Sequence, residues 1–297
     1  MNTQTVPATQ HVNAGIPTGQ TGLTGSPRLS FGGVIRSEWI KLMSLRSIRV
    51  TLIVTFASIL GVSLLIALAS RSSFEGGPAE AMRMYLITTA TFPSAFLSLI
   101  FGVLGVFAIS SEYSSGMILS TLTAVPKRTP VFLAKSLVLT AVSAVTGLLL
   151  VWGGLGLASI MMPDAAAEIF DAQVVSALFG TVVYLVLLAL LAYGVATMLR
   201  STAGGITVVV AIIFVMPIAM QLLAITGWEW VPTAAGYLPS NLGTTLSSGI
   251  VPEGTPAGMG MGAPEAPGYW VSALAMAVWA AVAVIPAAVL FKSRDAK

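Results

Sequence analysis

Six stretches of nearly unbroken apolar sequence, at about 50–69, 86–109, 131–161, 174–199, 203–226 and 269–291, set the outline of this chain. Crossing the hydrocarbon layer of a bilayer takes about 20 residues of helix at roughly 1.5 Å rise per residue. Each stretch meets that length, exceeds the roughly ten residues of a barrel strand, and shows no alternation of polar and apolar positions. Lipid offers a backbone no hydrogen-bond partners, so segments of this length must satisfy their own groups as helices. The pattern predicts an all-α membrane protein with six transmembrane helices spanning 50–291. The third stretch is longer than one crossing needs: it begins at the surface near Lys135, tilts, or breaks around Gly153, Gly154 and Gly156. Pro217 removes a backbone donor from the fifth stretch and is its candidate kink.

The polar remainder divides readily. Residues 1–30 are rich in Gly, Thr, Gln and Pro, with no apolar core, and read as a disordered cytoplasmic leader. In 31–49, Val34, Ile35, Trp39, Leu42, Met43 and Leu45 recur at helical spacing, while Arg36, Lys41 and Arg46 can reach headgroups. This predicts an amphipathic interfacial helix with Trp39 at the membrane boundary. The segment 227–268 opens with Trp228, Trp230 and Tyr237, spaced as an extracytoplasmic interfacial or shallowly re-entrant element. Its second half is a Gly/Pro-rich loop, and 292–297 form a short cytoplasmic tail.

Charge then fixes an orientation. Arg28, Arg36, Lys41, Arg46, Arg49, Lys127, Arg128, Lys135, Arg200, Lys292, Arg294 and Lys297 fall on one side of the six-span pattern. Arg71 and Arg83 fall on the other, with Glu75, Glu80, Asp164, Glu168, Asp171, Glu229, Glu253 and Glu265. The cytoplasmic bias of Lys and Arg puts both termini in the cytoplasm, and a bacterial cytoplasmic membrane is the expected location. It also explains the net charge of +3 without a nucleic-acid partner. Only 8% of residues are charged, against about 25% in a soluble domain, which excludes a water-soluble fold.

Little chemistry is available to the side chains. The absence of cysteine excludes disulfides, thiolate metal sites and cysteine nucleophiles, and the single histidine, His11, lies in the leader. There is no paired carboxylate within a span, no HExxH and no Gly-rich loop ending in Gly-Lys-Ser/Thr. No catalytic residue, cofactor site or metal site is therefore expected. The missing ionisable groups at mid-depth argue against a proton- or sodium-driven carrier and point to energy supplied from outside the membrane domain.

The most informative polar stretch is the connection 108–136. Glu112 stands where the second helix leaves the hydrocarbon; Gly116 follows, then Met117, Ile118, Leu119, Leu122 and Val125 at helical spacing. Pro126 should end this short helix, and Lys127-Arg128 place the turn at the surface. Two readings follow from the residues alone: an element that transmits force from a docked partner, or a simple loop helix whose glutamate caps or pairs with a nearby cation.

Two motifs, RSEWIKLMSLRS at 36–47 and EYSSGMILSTLTAVPKR at 112–128, followed by Lys135, resemble the permease subunits of ABC-2 type exporters, and the resemblance covers 34–291. It implies that Glu112, Gly116, Thr121, Leu122, Pro126, Arg128 and Lys135 belong to a coupling element that meets a separate ATP-binding subunit. Arg36, Glu38, Trp39 and Lys41 would lie in a connecting helix. Met117, Ile118 and Leu122 would supply the apolar contact, and Gly116 a close backbone approach. Glu112 and Arg128 would fix the ends of the element by charge pairing or hydrogen bonds, at about 1 kcal/mol or less for a partly wet pair. The same resemblance implies two permeases, alike or related, around one path in membrane lipid. ATP and Mg²⁺ would bind in the partner subunits, and apolar walls suit a lipid, peptide or drug cargo. The competing functions are an ion- or proton-coupled secondary transporter, a channel, which would need a polar stripe through several spans, and a membrane scaffold.

Overall fold

Helix runs where the apolar stretches run and stops where proline, glycine or charge intervenes. The computed structural model describes residues 30–44, 46–114, 116–117, 128–251 and 267–293. Every regular element among them is helical: α1 (Phe31–Ser44), α2 (Arg46–Phe74), α3 (Ala79–Thr91), α4 (Ser94–Ser114), α5 (Arg128–Met161), α6 (Ala172–Leu199), α7 (Thr202–Val210), α8 (Met216–Ala224), α9 (Trp230–Gly236), α10 (Pro239–Ser248) and α11 (Tyr269–Ser293). A 3₁₀ turn, Pro163–Glu168, links α5 to α6, and a π turn, Ala211–Val215, joins α7 to α8. Six runs are long and apolar enough to cross a membrane: Leu52–Phe74, Ala79–Tyr113, Arg128–Met161, Ala172–Leu199, Thr202–Ala224 and Tyr269–Ser293. The chain is a multi-pass membrane protein. The leader up to residue 29, the loop 252–266 and the last four residues lie outside the described residues.

The helix interruptions differ from those expected. The third span continues unbroken for 34 residues through Gly153, Gly154 and Gly156, about 51 Å of helix, so it exceeds a bilayer core by length alone. Gly153 and Gly154 serve close packing instead: a methyl group on Gly153 would stand 2.9 Å from Leu60, and one on Gly154 would stand 3.1 Å from Ala90. The true break lies in the second span, at Phe92-Pro93, where α3 ends and α4 begins. Pro93 has no amide hydrogen to continue the ladder, so although Phe92 keeps helical backbone the ladder restarts beyond it, with the Phe96 and Leu97 amides donating to the Pro93 carbonyl. In the fifth span the ladder widens into the π turn just before Pro217.

Contacts at the two ends of the bundle show how the spans alternate. At the acidic end, Arg83 Nη1 lies 2.9 Å from Asp171 Oδ2, and the Asp171 carboxylate also caps α6 by accepting from the Gln173 amide at 2.8 Å. At the basic end, the Arg200 guanidinium lies 5.5 Å from the centroid of the Tyr113 ring. Phe132 packs between Tyr193 and Phe291, with ring centroids 5.0 and 5.6 Å away. The end of α11 therefore lies beside the start of α5, as an even number of crossings requires.

α6 is the central pillar, in contact with α4, α5, α10 and α11. Lipid tails are as apolar as leucine, so spanning helices are held by close van der Waals packing, which small residues permit. A methyl group on Gly105 of α4 would collide with the Ala189 carbonyl oxygen of α6. One on Gly194 of α6 would stand 2.5 Å from the Ala283 carbonyl carbon of α11. The α9–α10 hairpin folds back onto this pillar. The Tyr237 carbonyl between α9 and α10 accepts from the Trp279 indole at 2.9 Å, ten residues along α11 and so about 15 Å from its start. Ser247 on α10 bonds Thr181 at 3.0 Å, and the Ile250 amide donates to Ser176 Oγ at 2.8 Å.

Gly194→Leu should therefore lower the midpoint of thermal unfolding in detergent, by the roughly 1–3 kcal/mol or more that overpacking costs. Gly156→Leu, where an added methyl meets nothing within 4 Å among the described residues, should leave the midpoint nearly unchanged.

Candidate functional site

On α1 the residues that face inward are Val34, Glu38 and Leu42, spaced by one helical turn each. An inward-facing glutamate is costly unless it is paired. Val34 packs with Val131 and Ala134 of α5, and this apolar contact delivers Glu38 to the α5 surface where Lys135 emerges one turn further on.

There the structure assembles two carboxylates and two ammonium groups from three helices. Lys135 Nζ donates to Glu38 Oε2 at 2.5 Å and to Glu112 Oε1 at 2.6 Å. Lys41 Nζ donates to Glu38 Oε1 at 2.7 Å and to Glu112 Oε1 at 3.3 Å. Lys135, Glu38 and Glu112 are 5, 4 and 3% exposed as residues, whereas the Lys41 side chain is 34% exposed. Burial works against the charged form of Lys41, but the hydrogen bonds and charges of Glu38 and Glu112 outweigh it and hold its pKa above the ordinary lysine value. One atom is left over: Glu112 Oε2 is buried and has no hydrogen-bond partner among the described residues.

This differs from the expectation of a partly wet Glu112. The carboxylate is buried and held by Lys135 and Lys41, so its worth is not that of a surface pair. Removing one partner from a buried ion pair costs about 3–5 kcal/mol, because it strands the other charge. The φ of Gly116, +69°, lies in the left-handed region, which favours glycine where the chain turns out of α4, and among the described residues an added methyl would meet nothing within 4 Å. Met117 is 46% exposed. Arg128 opens α5 and is partly buried. Arg36 and Trp39 face outward from α1, away from the ionic joint. Ile118, Thr121, Leu122 and Pro126 lie outside the described residues.

Reasoning from sequence named Glu38 and Lys41 without giving them a partner, and it used Arg200 only as a topological charge. Arg200 in fact takes a left-handed backbone, φ 53°, to cap α6, and lies over Tyr113, the neighbour of Glu112. The signal available for Glu38 was its phase: it falls one turn after Val34 and one before Leu42, on the apolar stripe itself.

Beside the joint opens a cleft of ≈ 270 Å³, lined by Lys41, Ser44, Phe107, Ser111, Glu112 and Met117 among others. Among the described residues, no group of three or more His, Asp or Glu is placed to hold a metal ion. With this geometry in view, no family model matches the chain, and no curated protein matches its sequence.

Lys135→Met should destabilise the protein by about 3–5 kcal/mol, and Lys41→Met by about 1 kcal/mol or less, its side chain being partly solvated. Unfolding in denaturant-titrated detergent reads both; equal losses would contradict the geometry. The raised Lys41 pKa carries a sign as well. The stability it gives is fully present below the ordinary lysine value of 10.5 and is lost as pH rises through the higher folded value. Lys41→Met should remove part of the loss of stability seen above that pH.

Proposed function

We propose that this chain is the membrane-spanning subunit of an ATP-driven exporter of the ABC-2 type, moving a hydrophobic or amphipathic cargo with energy from separate ATP-binding subunits. The observation that carries the reading is the ionic joint. Glu38 and Lys41 on α1, Glu112 at the end of α4 and Lys135 near the start of α5 tie a non-spanning helix to both roots of the connection 115–127. A push on that connection would reach α4, α5 and α1 together, because none can move without stranding a buried charge. Such a joint suits an element worked by a partner, and all four of its residues fall in the two motif regions, Glu38 and Lys41 in the first and Glu112 and Lys135 in the second.

In this reading α1 is the connecting helix, and Met117, Ile118 and Leu122 present an apolar face to the ATP-binding subunit. ATP and Mg²⁺ stay in that partner, and a second copy or a related permease completes the path. The Lys and Arg distribution supports a basic end facing the cytoplasm, with both termini there, in a bacterial cytoplasmic membrane. The α9–α10 hairpin then re-enters from the outer face, its polar groups met by Trp279, Thr181 and Ser176.

One observation favours a second reading. The broken second span resembles the discontinuous helices at which ion-coupled carriers bind cargo. It weighs less because no Asp, Glu, Lys, Arg or His occurs from 84 to 111 around the break, so that segment offers no titratable group to couple a proton.

The two readings separate on purification. From native membranes in mild detergent, an ATP-hydrolysing protein should co-purify. Met117→Asp should weaken that association about tenfold or more while leaving the permease's own unfolding midpoint unchanged. Transport in proteoliposomes driven by an ion gradient, with no nucleotide and no companion, would instead establish the carrier.

A further inference from the structure

α10 has two sides, and they differ in character. Pro239, Leu242, Gly243, Leu246 and Ser247 are buried, and the packing behind them is close. A methyl group on Gly243 would stand 2.5 Å from the Tyr184 ring, and one on Gly180 of α6 would collide with the Leu246 carbonyl oxygen. Ser240, Asn241, Thr244 and Thr245 recur at helical spacing on the opposite side and are half-buried. The depth of that polar side follows from what α10 packs on. Tyr184 lies twelve residues along the 28 residues of α6, about 18 Å from its start. Trp279, which donates to the Tyr237 carbonyl just before α10, lies about 15 Å along α11. At the other end of α10, Gln173 Nε2 donates to the Ser248 carbonyl at 3.4 Å, close to the start of α6. α10 therefore climbs from the middle of the bundle to its acidic end, touching α3 and the π turn Ala211–Val215 on the way.

Hydrogen bonding gives the polar side a direction. The Thr244 and Thr245 hydroxyls donate to the Ser240 and Asn241 carbonyls of their own helix, at 3.0 and 3.2 Å, which leaves their oxygens as acceptors for an outside donor. The Asn241 amide nitrogen donates to the Ala235 carbonyl at 2.6 Å. A carbonyl can only accept, so the nitrogen must be the end turned to Ala235, and Oδ1 is the end left over. No donor among the described residues reaches Asn241 Oδ1, and it is not closed off from the surface. The surroundings bring no charge: no Asp, Glu, Lys, Arg or His occurs at 84–111, 203–226 or 231–252. Acyl chains have no donors, so lipid alone leaves these acceptors unsatisfied at a depth where that is costly.

We propose that the polar side of α10 receives the head of the cargo, and that this head is uncharged and rich in hydroxyl donors, as in a sugar joined to an apolar chain. Its hydroxyls donate to Asn241 Oδ1 and to the Thr244 and Thr245 oxygens, while the chain lies against the apolar spans. A charged head of either sign would lose its water there and meet no counter-charge. A head without O–H or N–H groups could not satisfy the acceptors. The inference rests on the reading of this chain as a transporter of amphipathic cargo and narrows that cargo, but it holds for either source of energy.

The test uses the full chain in nanodiscs with an alkyl glucoside that carries a diazirine on the first carbons of its chain, photolabelled without nucleotide and mapped by peptide mass spectrometry. Label should fall on 239–248 and saturate. Unlabelled alkyl glucoside should displace it. The glucoside with every hydroxyl methylated, and the alkyl trimethylammonium and alkyl sulfonate of the same chain length, should compete about tenfold less well or worse, the scale of one or two hydrogen bonds. Asn241→Leu should lower labelling by about three- to tenfold. Because Asn241 also holds the Ala235 carbonyl, Thr244→Val with Thr245→Val provides a second arm. Those hydroxyls bond only their own helix, so the unfolding midpoint should hold while labelling falls as far. No saturable label on α10, equal competition by the methylated or charged amphiphiles, or labelling unchanged in the valine pair would each overturn the proposal. The first of these would assign the polar side to water or to a second copy of the chain. With no ATP-binding partner in the nanodisc, this result and the co-purification that tests the exporter reading fail independently.

Discussion

Lys135 lies between Glu38 and Glu112 with 5% of its surface exposed, and much of the basic end of the molecule is arranged around that fact. Removing the lysine strands two buried carboxylates, and removing either carboxylate takes a hydrogen-bonding partner from the lysine. The dependence is mutual and steep, unlike the shallow, additive contributions of the apolar contacts nearby. It explains why α1 turns a glutamate inward along an otherwise apolar stripe, and why Val34 seats on Val131 and Ala134 to bring that glutamate into reach. It also explains the length of α5: the helix runs about two turns before Lys135, so the lysine sits where α1 and the end of α4 can both meet it.

The rest of the bundle is closely packed around α6 and interrupted away from it. α6 is gripped on two sides by glycine contacts too close for any larger residue, Gly105 against Ala189 and Gly194 against Ala283. The interruptions fall elsewhere, at Phe92-Pro93 in the second span and at the π turn before Pro217 in the fifth. Displacement of the ionic joint would travel along α4 toward the first of these points. A helix whose ladder is already broken there can change angle without losing further hydrogen bonds.

Much of this fold was legible in the order of apolar and polar residues, because lipid enforces a simple rule: about 20 apolar residues, all helical. Six helices long and apolar enough to cross a membrane are present among the described residues. What the pattern missed were local effects that hydropathy does not encode. Pro93 sits within an apolar run, as Pro217 does, yet it splits its helix, whereas the glycines that offered a break in the third stretch stay helical, with Gly153 and Gly154 closely packed. The site was legible by halves. The position of Glu112 at the end of its span marked it, and Lys135 stood out as a base just inside the next. The contribution of α1 could not be seen from charge counts, since Arg36, Glu38 and Lys41 differ only in which way the helix turns them. Helical phase separates them: Glu38 shares the Val34–Leu42 face, and Arg36 does not.

The chain contains no cysteine, so two can be introduced without background. Ile40→Cys on α1 and Leu137→Cys on α5 place labels on exposed positions to either side of the joint, and pulsed electron spin resonance in nanodiscs reads the distance between them. If the buried charges hold α1 against α5, the distribution is narrow in the otherwise native chain and broadens or moves outward when Lys135→Met is added. A distribution unchanged by Lys135→Met would mean that α1 is held by its apolar contacts alone and that the ionic joint is not what fixes this end of the molecule.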